Sequence, residues 1–514
     1  MVTAGLSLPD RLAAWCLSCL AASFIYALAK GLYNVYLHPL SKFPGPRFAA
    51  ATKIPIAAAS WDGTLPHWLL SLHEQYSSEV IRISPDELSI VSPGAWKDIY
   101  AHEPGRTRFP KDLGIYTGFN SIVTANDTDH SRMRRVLSHA FSDKALREQE
   151  PLLQMHVQEL INGLKKACNG SSKGEVDMVC WFRWTTMDII GDLAFGESFG
   201  CLKNTKFHSW VASLASSIKI VVMASITLRF PPLQMILRLL LVSKSLRRAR
   251  DDHGRLSAET LERRMKLGTS SERKDFMTYI LAHNETGKAG LTNQELHDNA
   301  TTMIGAGSET TAGLLSGMIW FALKNPECLA RVQAEVCEAC KVKKDINAQV
   351  LGDLEYFNAF INEVFRIYPT GVAGQPRRAP PEGAVVCGHY IPGGTGIQMN
   401  QFAVNHYPAN FSSPEIFAPE RWLVDAANEG VSRWAGDKRE VLQPFSIGPR
   451  NCIGKNLALT ELRLVFARMV WEFDVELGEE MMKSNSRGGN WADQRSWMTW
   501  SQPPLWVRLI PRWD

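Results

Sequence analysis

The run FSIGPRNCIG at 445–454, continued by KNLALTELRLVFARMVW at 455–471, places one cysteine, Cys452, in a glycine-bounded loop ahead of a helix-patterned segment. Leu459, Leu462, Phe466, Met469 and Val470 recur at helical spacing, so the sulfur falls at the positive end of a helix, where a thiolate is favoured. Gly448 and Gly454 allow a flat cofactor to approach the backbone, and Pro449 sets the turn. Phe445 can shield the sulfur and Arg450 can neutralise a carboxylate. A phosphate-binding loop is excluded: the glycine spacing from Gly448 to Gly454 is one residue too long, and Asn456 stands where a metal-binding Ser or Thr belongs.

The pattern F-x-x-G-x-R-x-C-x-G resembles that of the haem-thiolate monooxygenases, the cytochromes P-450. A buried, inert thiol is the usual fate of a free cysteine, but it leaves the other matched positions of the loop unexplained. The resemblance implies a mainly α fold with small β-sheets, haem b held between a long distal helix and the proximal cysteine loop, and Cys452 as axial ligand of the iron. A thiolate ligand of this kind pushes electron density toward O–O cleavage.

Further motifs stand in the family's order. Thr292 and Glu295 form a capping-box start, and Asn325 with Pro326 ends a helix of about thirty residues. Its middle, IGAGSETTAG at 304–313, is rich in poor helix formers. Small residues there suit contact with a planar cofactor or tight helix-helix packing, and Thr hydroxyls can loosen the backbone bonding. By resemblance, Ala306 and Gly307 face the haem, Thr310 holds dioxygen and Glu309 feeds protons; Glu in place of the commoner Asp changes the reach of that acid. Glu363 and Arg366 in INEVFRIYP lie three apart on one helix face, and the family joins them to Arg421 of PERW in a buried structural triad. His130 and Arg134, one turn apart, with Arg450 and Arg377 are the expected partners of the haem propionates. Arg378, beside Arg377, leaves that register open.

The 514 residues carry a net charge of +4, too little to suggest nucleic acid as partner, and 45% apolar residues describe a large core. Ten cysteines without a regular framework fit a reducing compartment. Cys337 and Cys340 form an isolated C-x-x-C, read as ordinary helix residues. From Leu12 to Ala29 there is no charge, and at about 1.5 Å per residue such a helix just crosses a thin bilayer. A cleaved signal is the competing reading, opposed by the length of the run. The expected organisation is a membrane anchor at 1–30, a proline-rich hinge at 31–50 containing HPLSKFPGPR, and a catalytic domain at 51–514. Lys30, Lys42, Arg47 and Lys53 follow the span, so the body faces the cytosol. That makes a single-pass endoplasmic reticulum protein, with the sequons at Asn126, Asn169, Asn284, Asn299 and Asn410 incidental.

No dinucleotide fingerprint follows a strand. The resemblance therefore implies electrons from an NADPH-dependent cytochrome reductase, with cytochrome b5 as a further donor, docking on Arg132, Arg135, Lys144 and Lys455. It also implies a lipophilic small-molecule substrate, most like a fungal secondary metabolite such as a terpenoid, polyketide or alkaloid. Its walls are expected at 107–121, 210–241, 371–374 and 497–500, with 210–241 either core or a lip skimming the membrane. Two other functions compete: a reductase-independent haem-thiolate isomerase or dehydratase, and a non-catalytic haem binder.

Overall fold

The computed structural model describes residues 8–101, 108–112, 120–170, 174–206, 221–241, 244–266, 268, 275–285, 290–424, 432–486 and 489–513. Among the described residues helices dominate, as expected, with four small sheets between them. The central helix, Asn293–Lys324, begins on the capping box: the Thr292 hydroxyl accepts from the Glu295 amide at 3.2 Å, and the Glu295 carboxylate accepts from the Thr292 amide at 2.9 Å. It runs 32 residues and stops at Asn325, where Pro326 opens the helix Pro326–Ala339. Proline has no amide to continue the first helix, yet fits the first turn of the second.

The most extensive helix pairing joins the central helix to the helix Met178–Phe195. Gly307 makes their close approach possible: a Cβ there would lie 2.8 Å from Ile190 Cδ1. Thr186 reinforces the contact by donating to the Ser308 carbonyl at 3.1 Å. The helix Lys455–Glu472 lies against the central helix and against the helix Asp143–Cys168, inside the larger apolar core.

A second core surrounds the largest sheet, whose order is β1 (Val80–Ser84), β2 (Glu87–Ile90), β7 (Gly396–Gln398), β4 (Arg377–Arg378). β2 and β7 are parallel and the other neighbours antiparallel. Besides these, β5 (Ala384–Val386) pairs with β6 (His389–Ile391). Glu175–Asp177 is a strand that pairs with the C-terminal strand Trp506–Pro511, a partner more than three hundred residues away.

The N-terminal helix differs from expectation in length. It extends unbroken from Leu8 to Tyr36, past the boundary placed at Lys30, and a further short helix covers Arg47–Ala51 within the expected hinge. Nothing in 31–36 breaks a helix; Pro39 does, by disfavouring helical geometry at His38. The helix is exposed along its apolar run, and Asn34 near its end is buried, its amide donating to the Ala51 carbonyl at 3.1 Å. Among the described residues this is the one helix long and apolar enough to cross a membrane.

Candidate active site

Cys452 lies just ahead of the helix Lys455–Glu472, which Gly454 caps. The loop closes on itself through Cys452 N donating to Phe445 O at 2.9 Å and Asn451 N to Gly448 O at 3.1 Å. Gly448 has φ +77°, and a Cβ on it would come within 2.0 Å of the Tyr100 carbonyl oxygen. Its glycine therefore serves the packing of the loop on Tyr100, and Gly448 is absent from the cavity wall, in contrast to the close cofactor approach expected of it. Gly454 and Phe445 do line the cavity, and Phe445 meets Phe365 edge-on at 5.3 Å between ring centres.

The cavity measures about 390 Å³, and Cys452 and Phe445 of the loop line it together with Ala306, Gly307 and Thr310 of the central helix. Cys452 is exposed, but to this cavity. Burial raises its thiol above the ordinary value, while the Gly454 backbone amide and the Arg134 charge act in the opposite sense. Coordination to a metal ion deprotonates a thiol outright, which overcomes such a desolvation cost.

His130, Arg134, Arg377 and Arg450 all line the same cavity. Asn126 caps the helix Asp127–Leu137, from which His130 and Arg134 project on one face. Their states differ. Burial, with Arg450 and Arg134 next in weight, lowers His130 to about 4, so it is a neutral donor and not a cation. Both terminal nitrogens of Arg134 donate to Asn451, one to its backbone carbonyl and one to its side chain, and Arg450 donates to Asp127 and to the Ala125 carbonyl, each at 2.7 Å. Arg134 and Arg450 thus clamp the cysteine loop to the preceding helix. Arg450 Nη1 is buried with no partner, a vacant donor on the cavity wall.

Strand alternation resolves the 377/378 register: Arg377 is buried and faces the cavity, whereas Arg378 turns outward to Asp112 at 2.9 Å. A cation the sequence reading missed joins the set. Lys111 forms an isolated β-bridge with Arg377, lines the cavity and donates to the Val123 carbonyl at 2.6 Å. Burial, then the charges of Arg377 and Arg450, lowers its ammonium to about 7. Only the chain crossing that pairs 111 with 377 puts it there, so no local pattern could have revealed it. A thiol facing clustered cations, with a buried donor lacking a partner, fits a metal-bearing cofactor that carries carboxylates.

On the central helix, Thr310 lines the cavity and its hydroxyl donates to the Ala306 carbonyl at 2.7 Å. Ser308 and Ser316 make the same bond to carbonyls four residues back, and the helix stays continuous through the Gly/Thr segment. Glu309 is not on the wall: it is buried and paired with Arg183, Nη2 to Oε2 3.2 Å. Successive helix residues point about 100° apart, so Thr310 and Glu309 cannot both face the cavity.

Glu461, one turn beyond Leu457 and Ala458, lines the cavity and is a second residue missed. It is buried without a hydrogen bond or ion pair among the described residues, and desolvation raises it to about 8. The folded chain therefore keeps this proton where the unfolded chain has lost it. Its contribution to stability is full below the unfolded value of 4.5 and is lost as pH rises toward about 8. Replacing Glu461 by Gln should flatten that decline, whose steepest slope is about 1.4 kcal/mol per pH unit. Thermal melts of the haem-loaded protein across the window check this, and an unaltered pH profile refutes it.

Glu363, Arg366 and Arg421 meet as expected, all fully buried. Arg366 grips Glu363 through two bonds of 2.9 and 2.7 Å, while Trp422 and the Ala418 amide supply further donors at 2.9 and 2.8 Å. Arg421 reaches Glu363 only at 3.4 Å; its closer partner is Asp437, also buried, which the sequence reading missed. Two cations and two carboxylates make the network neutral, and Phe365, on the same helix, connects it to the cavity.

Of the expected substrate walls, Gly371 with neighbouring Thr370 lines the cavity, as do Ile122 and Val123 just past the first loop. Residues 107, 113–119 and 210–220 lie outside the described residues. Trp497 and Trp500 are not on the wall: Trp500 stacks on Tyr368 at 5.6 Å, and Trp497 packs with Met223, Ile226 and Ala57. Arg132 is held by Glu295 and Asp129, so it is not available for docking, whereas Arg135, Lys144 and Lys455 are exposed.

The comparisons agree with this geometry. The family model Cytochrome P450 matches residues 89–493. The chain is 38% identical to averantin hydroxylase of Dothistroma septosporum, covering 96% of this chain and 91% of that protein. It is 39% identical to cytochrome P450 monooxygenase atr2 of Stereocaulon alpinum, over 94% and 93% of the two chains. Cytochrome P450 monooxygenase aclL of Aspergillus oryzae is 40% identical, over 95% and 96%. In structure the chain resembles the haem domain of cytochrome P450DA, with a TM-score of 0.70 at 18% identity, covering 88% of this chain and 94% of the other. Cysteine loop, central helix and overall similarity converge on one conclusion: the chain belongs to the cytochrome P450 family, whose cofactor is haem, and is a monooxygenase.

Proposed function

We propose that this protein inserts one oxygen atom from dioxygen into a lipophilic secondary metabolite, using electrons from an NADPH-dependent diflavin reductase. The observation that carries this reading is the placement of Cys452 and Thr310, from two separate elements, on the wall of one apolar-lined cavity. Cys452 would hold haem b through its sulfur, and the bound group would supply the redox chemistry that activates dioxygen. Lys111, Arg377 and Arg450 neutralise the propionates, and His130 donates one hydrogen bond. Ile190, Leu314 and Ile122 keep stray water from the reacting centre. The Thr310 hydroxyl, anchored on Ala306 O, offers its oxygen as acceptor and exchanges its proton toward the cavity. Glu309, ion-paired with Arg183 on the side of the helix away from the cavity, takes up a proton from solvent and releases it toward Thr310. This pairing disfavours the reductase-independent isomerase, which has no use for proton delivery.

Thr310→Ala should therefore keep haem and substrate binding while separating NADPH use from product, lowering product per NADPH by about a hundredfold, the lower end of the usual range for a proton-transfer group. Measuring both in microsomes with reductase decides it; unchanged coupling removes Thr310 from the mechanism. Two relatives are named averantin hydroxylases, which makes hydroxylation the first outcome to seek when candidate polyketides are supplied and products analysed by mass spectrometry.

The reading also places the helix Leu8–Tyr36 across the endoplasmic reticulum membrane, with the body cytosolic. Arg135, Lys144 and Lys455 then present an exposed basic face to the reductase or to cytochrome b5. Exposed Leu233, Met235 and Ile236 support a lip touching the bilayer. Deleting residues 1–30 should release most of the protein into the soluble fraction on carbonate-free fractionation; full retention would assign the attachment to that lip instead.

A further inference from the structure

Where the N-terminal helix joins the body there is a second cavity, about 380 Å³, walled by Lys30, His38, Thr52, Lys53, Asp86 and Arg229. It brings together segments far apart in the chain, and its charges do not balance. Lys53 pairs with Asp86 at 2.9 Å and Arg229 with Glu87 at 2.5 Å. Behind the wall, Arg82 is 1% exposed, donates to the carbonyls of Asn34 and Pro85 at 2.8 and 2.7 Å, and leaves its Nε without a partner. Among the described residues Lys30 has only a ring contact, 5.5 Å from the Tyr33 centroid. Four cations (Lys30, Lys53, Arg82, Arg229) thus face two carboxylates (Asp86, Glu87), a local net charge of +2 by subtraction. His38 adds no charge, since burial and then Arg82 lower its pKa.

The position selects the ligand. Lys30 is the first charge after the apolar run of the helix, so the cavity opens at the depth where lipid phosphates lie. Exposed apolar residues flank its walls in sequence: Phe48 and Ile54 around Thr52 and Lys53, and Leu233, Met235 and Ile236 beyond Arg229. We propose that this cavity seats the phosphate of an anionic phospholipid headgroup and so sets the tilt of the body on the membrane. The proposal rests on the reading of Leu8–Tyr36 as a membrane span.

The test uses the full-length, haem-loaded protein in a neutral detergent. Dihexanoyl phosphatidic acid, dihexanoyl phosphatidylcholine and inorganic phosphate are titrated at equal ionic strength, and the melting temperature is followed. The expected result is a saturable rise with phosphatidic acid alone. Its apparent Kd should weaken about tenfold, ~1.4 kcal/mol, in Lys30→Gln/Lys53→Gln, and stay unchanged in the exposed control Lys483→Gln. Since Lys30 is exposed and outside any ion pair, Lys30→Gln alone gives a folded variant in which a smaller loss must still be seen. Equal shifts with both lipids, or unaltered affinity in the variants, overturn the proposal. A full shift with inorganic phosphate overturns the lipid assignment in favour of a free-phosphate site. Flotation on phosphatidylcholine vesicles tests the span separately: failure to float refutes the span, whereas the titration reads the headgroup preference by itself.

Discussion

Cys452→Ser is expected to give a protein of near-parental fold whose reduced carbon monoxide complex lacks the thiolate-type absorption and whose monooxygenase turnover falls on the order of a thousandfold, ~4 kcal/mol in barrier. The fold should survive because the loop is held by other groups. Its backbone closes from Cys452 N to Phe445 O, and Arg134 and Arg450 clamp it to the helix Asp127–Leu137. A hydroxyl is a poor thiolate substitute, being neither soft nor readily ionised, so the electronic contribution of the sulfur is lost even if haem remains in place. Absorption spectra of the reduced, carbon monoxide-treated variant check this. Retention of the thiolate band in Cys452→Ser would remove Cys452 as the ligand.

Glu363→Ala should be the most destabilising single change outside the cavity. It leaves Arg366 fully buried without its two-bonded partner, removes the acceptor for Trp422 and for the Ala418 amide, and leaves Arg421 with Asp437 as its remaining carboxylate partner among the described residues. Breaking a buried pair from one side costs about 3–5 kcal/mol, a large part of the roughly 5–15 kcal/mol that holds a typical fold together. A drop in the melting temperature with poor haem retention is expected. Glu363→Gln, which keeps one oxygen acceptor but sets an NH2 donor in place of the other, should fall between parent and Ala. A Glu363→Ala protein melting like the parent would show that the network contributes little.

Several site residues were legible because their chemistry is local. Thr292 with Glu295 announces a helix start, Pro326 its end, and Glu363 with Arg366 share a face within one turn. What the sequence did not show is which neighbour each residue meets once elements pack. Glu309 and Gly448 sit within recognisable motifs, yet one turns to Arg183 and the other packs on Tyr100. Asp437, Lys111 and Glu461 carry no motif of their own. Each acquires its role from a neighbour distant in sequence: Arg421 for Asp437, Arg377 for Lys111, and for Glu461 the apolar surroundings that withhold a counter-charge.

By itself the amino-acid sequence determined the mainly helical class, the thiolate loop, the capped central helix and the apolar N-terminal segment, because hydrophobic period, caps and breakers act over a few residues. The tertiary structure alone decided which cations surround the cavity, which acid is kept neutral and which is paired, how the buried arginines are balanced, and that a charged cavity opens beside the anchor. Those outcomes depend on desolvation and Coulomb interaction between groups that only the packed chain brings within a few ångströms, and neither quantity exists before the chain has folded.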